Sequence, residues 1–248
     1  MELLTYHGNH DFKAAFLAEI GKHEVADQIT KGTYGQMNGQ WHGCAIGCSL
    51  RSLNLLGGHP HDQQTGRHDR IPKELGWPLW LAYAEDDIFE HLPDDIAHTW
   101  PRLLAEAIPV GVTVPDIVLA KLLRWILIGD RFGVVHASDS EEAKRIVRTM
   151  GALFDRTISG EIVPGAEWNE AAEAAWAARA ARAAGDAEAA GDAWAARAAR
   201  AARDARAAWA ARSAWAGGTH DAFYPALSEE LLRVLRALEP VAVLQDRT

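Results

Sequence analysis

Cysteine is almost missing from this chain: only Cys44 and Cys48 occur. Two thiols so close together make a poor disulfide framework, which excludes the stapled secreted scaffolds and predicts a cytoplasmic protein. Long apolar runs are missing as well. The most apolar stretch, Ile117–Ile128, is short and carries Lys121 and Arg124. It falls well below the roughly 20 apolar residues a bilayer span needs, so no membrane segment is expected. The opening residues, MELLTYHGNHDF, place an acid at Glu2 and lack the basic-then-apolar order of a secretory signal. Positive charge is also in deficit. A formal charge of -9 argues against a chain that coats nucleic acid, because binding to phosphates depends on clustered Lys and Arg. Strand-type alternation is scarce, and only Gly133–His136 (GVVH) and Val241–Leu244 (VAVL) form short β-branched runs.

Helix signals are abundant instead. Apolar residues make up 48% of 248 positions, ample for a buried core. Phe12, Ala15, Phe16 and Ile20 form one stripe over Asp11–Ile20, with Asn9 or Asp11 as the cap and Gly21 as the stop. The GNHD string around these residues resembles an element of metallophosphoesterases, but the further Asp and His motifs of those enzymes are absent, and helix capping accounts for it. Cys44–Leu56 reads as a helix closed by Gly57 and Gly58, and the polar Gly57–Ile71 segment as a long loop. Pro78 opens a helix to about His91, and Asp94 or Asp95 caps the next. Pro115 opens another through Ile128, whose Lys121 or Arg124 is expected to reach a buried carboxylate. Ser138 and Glu141 fit a capping box for a helix to about Ile158, and Ser228 caps a last helix to Leu238. The fold class expected is all-α: a packed helical bundle with a long Ala-rich hairpin and at most a minor β element.

From Ala166 to Ala216 the composition shifts to Ala, Arg and Trp. Trp176–Asp186 (WAARAARAAGD) returns as Trp194–Asp204 (WAARAARAARD), an offset of 18 residues. Five whole helical turns span that offset, so the repeat puts Trp176 and Trp194 on one face. Alanine favours helix even where packing is weak. A hairpin hinged near Gly185–Gly191 is preferred over one helix about 75 Å long, because the Trp side chains need somewhere to bury. Seven Arg are balanced by seven acids here, so the segment reads as architecture or as a homo-oligomer or protein-partner surface rather than a nucleic-acid arm. The division expected is a helical core over 1–160, then the Ala-rich hairpin and a returning C-terminal helix over 161–248.

Reactive side chains concentrate between His42 and His91. Cys44 and Cys48, four apart on a helix, share a face, as two ligands of one divalent metal must; His42, His59, His61 or His68 are possible partners. Both are equally small core residues by type. Cys44 in the first turn also suits a thiolate nucleophile, with Gln40 as oxyanion donor and His68 or His136 as base beside Asp69 or Asp139. That arrangement resembles thiol peptidases, whose β-rich half this chain lacks. Glu85 shares a stripe with Leu81, Ile88 and Leu92 and should therefore be buried, requiring a metal, a network or an ion pair with Arg51, Arg70 or Arg102. Asp86 and Glu90 lie four apart on the adjacent face. The candidate set is thus Cys44, His68 and Glu85 for catalysis, and His42, Cys44, Cys48, His68, Glu85 and Glu90 for a metal.

The segments GCAIGCSLRSLN (43–54) and ELGWPLWLAYAEDDIFEHLPDDIAHTWPRLLAEAIPVG (74–111) resemble a set of uncharacterised bacterial and phage-borne proteins. These share a GCA-G-C segment, an LG-P--LA--ED-IFE-LP segment and an Ala-rich region before the carboxyl end, over about residues 32 to 160 here. The resemblance implies no activity. It marks the Cys44–Cys48 helix and Glu85, Asp86 and Glu90 as the defining segments. Two functions stay open: a small-ligand or metal-binding protein with a Cys/His/Glu site between 42 and 91, or an interaction protein working through the Ala/Trp/Arg helices.

Overall fold

The structure, a computed structural model, describes residues 3–38, 40–59, 66–136, 140–173 and 220–239. The Ala-rich repeat, Ser138, Asp139, His61 and the Val241–Leu244 run lie outside the described residues. The fold is all-α. Its helices are α1 (His10–Val25), α2 (Ala45–Leu56), α3 (Arg70–Leu75), α4 (Leu79–His91), α5 (Asp94–Ala97), α6 (Trp100–Ala107), α7 (Asp116–Ile128), α8 (Glu141–Ile158) and α9 (His220–Arg236). Residues 165–173 are also helical. Strands β1 (Gln36–Asn38) and β2 (Gln40–His42) pair antiparallel, with Gln36 opposite His42. Among the described residues no helix is long and apolar enough to cross a membrane.

Several local expectations change for identifiable reasons. Asn9 caps α1 by accepting from the Phe12 N–H at 3.0 Å. The helix nonetheless runs through Gly21, because Ile20 and His23 on either side are buried and hold the turn in place. Part of the expected Gly57–Ile71 loop and the residues after it form α3. That helix stops at Gly76 with φ 70°, where a Cβ would lie 2.1 Å from the Leu4 carbonyl oxygen, so only glycine fits. Val134–His136 is not a strand but a 3₁₀ turn against α7 and α8. Val134 and Val135 bury themselves on the helices instead of in a sheet. Ser140 rather than Ser138 caps α8, accepting from the Ala143 N–H at 3.2 Å. Ser228 does not cap a helix. It lies inside α9, which starts upstream at His220, and donates to the Pro225 carbonyl at 2.7 Å.

The chain forms two compact units, Met1–Val114 with Tyr224–Thr248 and Pro115–Phe223. In the first, α1 packs on α2 and α6, and α2 packs on α4 and α6. Phe16, Ile20, Ile46, Leu50, Trp77, Leu81, Ile88 and Trp100 fill the space between them. Tyr6 donates to the Ala105 carbonyl at 2.5 Å, and Thr5 donates to that of Pro109 at 2.5 Å, tying the start of the chain to the end of α6. From α9, Tyr224 stacks on His91 at 4.4 Å. In the second unit α7 and α8 approach closely at Gly151, where a Cβ would lie 2.6 Å from Ile128. Arg124 of α7 pairs with Asp155, but the two side chains are 40% and 50% exposed. The carboxylate it reaches is therefore a surface one, not the buried partner expected.

Candidate functional site

Two helices of the first unit, α2 and α4, carry the candidate chemistry. On α4 the stripe of Leu81, Glu85, Ile88 and Leu92 is buried as its spacing predicts. Asp86 and Glu90, one turn apart, project from the neighbouring face. Cys44 immediately precedes α2 in extended conformation, and its N–H donates to the Thr33 carbonyl at 2.6 Å. This places a thiol that is 1% exposed opposite the Asp86–Glu90 face. The Cys44 Sγ and one carboxylate oxygen each of Asp86 and Glu90 lie within 4.8 Å of one another.

Each carboxylate is held from outside the cluster. Asp86 Oδ2 accepts from the Tyr34 hydroxyl at 3.2 Å and from His68 Nε2 at 3.0 Å. A carboxylate only accepts, so His68 carries its proton on Nε2. The imidazole is fixed in turn by stacking on Tyr83 at 4.8 Å and by the edge of Tyr34 at 5.7 Å. Asp86 Oδ1, by contrast, is buried without a hydrogen-bond partner among the described residues. The Glu90 carboxylate receives the Gly32 N–H on both oxygens, at 3.1 and 3.0 Å. Residues 28–35 thus form a strap over Cys44. Gly43 donates to Gln28, Thr30 donates to Gly43, and the Tyr34 carbonyl sits where a Cβ on Gly47 would be, 2.3 Å away.

The electrostatics are those of crowded acids. Burial, then the charge of Asp86, pushes the Cys44 thiol far above its ordinary range, against the opposing Gly47 backbone hydrogen bond. Burial also raises Glu90, and burial followed by Asp86 pushes the Tyr34 phenol up to about 12. A thiolate nucleophile is therefore not what this environment favours, although Cys44 stands at a helix start. The other members of that arrangement are dispersed. Asp69 is bound by Arg67 at 2.6 Å rather than by His68, and His136 meets the Gly129 carbonyl in the second unit. The side chain of Gln40 lies outside the described residues.

The remaining candidates stand apart from the cluster. Cys48 is fully buried, and its Sγ donates to the Gly43 carbonyl at 3.5 Å. His42, on β2, takes no part. Glu85 is fully buried, with Ser49 donating to Oε1 at 2.8 Å and Oε2 unpartnered among the described residues. Arg70 binds Glu74 and Asn54, and Arg102 binds Glu24 and Glu106, so neither gives Glu85 an ion pair. Burial, partly offset by the Ser49 hydrogen bond, raises Glu85 to about 8. Sequence reasoning missed Gly32 and Tyr34 as partners of the site; neither has a spacing signal, because folding alone brings the strap to α4. No family model matches the chain, and neither a curated protein nor a solved structure is found similar to it.

Proposed function

We propose that this protein binds a divalent cation of the zinc class through Cys44, Asp86 and Glu90, as a cytoplasmic protein. One observation carries the reading: the Cys44 Sγ and one oxygen each of Asp86 and Glu90 lie within 4.8 Å of one another. Thiolate ligands select zinc-like ions over magnesium or calcium, and carboxylates are compatible co-ligands. A cation also reverses the local electrostatics, since it turns a thiol held protonated by burial and by the neighbouring acids into a favourable thiolate ligand. Both carboxylates have the outer hydrogen bonds that orient metal ligands, Asp86 from His68 and Tyr34 and Glu90 from Gly32. Three anionic ligands leave a divalent ion with net negative charge and weakened Lewis acidity, which suits holding or sensing the metal more than polarising a substrate. The bacterial and phage-borne proteins that share the GCA-G-C and ED-IFE segments share this centre on the same reading, because those segments supply all three ligands.

Cobalt substitution tests the proposal directly. Titrating purified protein with Co²⁺ should produce a thiolate-to-metal charge-transfer band, displaced by Zn²⁺ and lost in Cys44→Ser. A folded protein that develops no such band, and that carries no metal on elemental analysis, overturns it.

A further inference from the structure

We infer that His23 is an acid-sensitive latch on the strap over Cys44: neutral, it holds residues 28–30 against Gly43, and on taking up a proton it lets them go. The inference is independent of the metal reading. His23 sits in the last turn of α1 with its imidazole buried. Its Nδ1 meets the Gln28 side-chain oxygen at 2.7 Å, and the ring packs on that of Trp41, 5.0 Å between centroids. An amide oxygen only accepts, so the proton of the neutral ring is on Nδ1. Nε2 is then a bare lone pair, buried and without a hydrogen-bond partner among the described residues. A proton added there creates a buried charge and a buried donor facing no acceptor, both of them costly.

The partners of this imidazole also hold the strap. The Gln28 N–H donates to the His23 carbonyl at 3.0 Å, and the Gln28 carbonyl accepts from the Gly43 N–H at 3.0 Å. Thr30 donates back to the Gly43 carbonyl at 2.8 Å. Trp41 lies so close to Gly43 that a Cβ there would stand 2.6 Å from its ring, and Gly43 leads directly into Cys44. Three charged groups face the imidazole: Glu19 and Lys22 from α1, and Arg51 from α2. Glu19 favours a proton on the ring but is itself bound by Lys22, whereas Lys22 and Arg51 oppose one. Burial, opposed by the Gln28 hydrogen bond, holds His23 below the ordinary 6.5, and the two cations act in the same direction as burial. Opening returns the ring to water, where it titrates normally. The closed latch is therefore at full strength above about pH 6.5 and weakens as pH falls from there. Val25, two residues on, is almost fully exposed, so this end of α1 can fray without unpacking the core.

Hydrogen exchange on the full chain without added metal, corrected for the intrinsic rate at each pH, reads this out. From about pH 7.5 to 5.5, protection of the Thr30, Gly43 and Cys44 amides should fall several-fold, with a ceiling of about tenfold per pH unit below 6.5. Amides of α6 should keep theirs. His23→Asn retains a donor near the position of Nδ1 but cannot take up the proton, so it should abolish the acid dependence. An NMR titration of His23 in the wild-type protein supplies a second measure, and its midpoint should lie below 6.5. Protection that does not change with pH, an equal acid loss in His23→Asn, a loss shared by α6, or a midpoint at or above 6.5 overturns the inference. None of these results bears on the Co²⁺ band, so the latch and the metal reading fail separately.

Discussion

Glu85 and Asp86 are neighbours on α4, yet they have opposite fates. Glu85 points between the helices, meets Ser49, and among the described residues joins no cluster of potential ligands. Asp86, about 100° further round the helix, meets a thiol, a second acid and two hydrogen-bond donors. The same contrast holds between the two cysteines, where Cys48 on α2 is core and Cys44, just before that helix, belongs to the cluster. Burial alone therefore does not make a site. An acid sealed among apolar groups responds by holding its proton, whereas acids gathered around one point create a demand for a cation.

The contrast is sharpest between the two cysteines. Cys44→Ser should weaken Co²⁺ or Zn²⁺ binding by more than about 100-fold, beyond the loss typical of an outer-shell partner. Cys48→Ala, measured in the same titration, should leave affinity nearly unchanged while lowering stability. Equal losses in the two variants would erase the distinction drawn here.

Glu85 supplies the next largest effect, seen in stability rather than in metal binding. Its folded value of about 8 lies above the ordinary 4.5, so the folded protein holds that proton more tightly than the unfolded chain. The resulting stability is fully present below about pH 4.5 and is lost as pH rises through 8. Glu85→Gln keeps the shape without the titration, so urea denaturation should show it about 2–4 kcal/mol more stable than wild type at pH 9. Near pH 5 the two should differ little, and a gap that does not grow with pH would mean that Glu85 is not held neutral.

Gly47→Ala probes the strap from beneath. A methyl group 2.3 Å from the Tyr34 carbonyl oxygen must displace it, at a cost of about 1–3 kcal/mol in thermal or urea unfolding. Smallest is His68→Phe, which keeps the stacking on Tyr83 but removes one donor from Asp86. It should reduce metal affinity about tenfold with unfolding little changed, and an unaltered affinity would show that Tyr34 alone orients Asp86.

Much of this was legible in one dimension. Helical spacing on α4 placed Leu81, Glu85 and Ile88 inward and put Asp86 and Glu90 together on the adjacent face, because the 3.6-residue period determines direction wherever a helix forms. The same logic failed on α2: a shared face for Cys44 and Cys48 suggested two ligands, but Cys44 precedes the helix and obeys no helical phase. Capping was readable in type and missed in position, as Ser140 in place of Ser138 shows, since neighbouring polar residues compete for one role.

The sequence by itself thus determined the all-α class, the absence of an apolar span among the described helices, and the inward acid at Glu85, all consequences of local periodicity and composition. Only the tertiary structure decided which acids meet the thiol, that His68 turns to Asp86 rather than Asp69, and that Gly32 and Tyr34 close the site. The physical reason is that these contacts join segments far apart in the chain, and their geometry follows from how α2, α4 and the strap pack rather than from any spacing between residues.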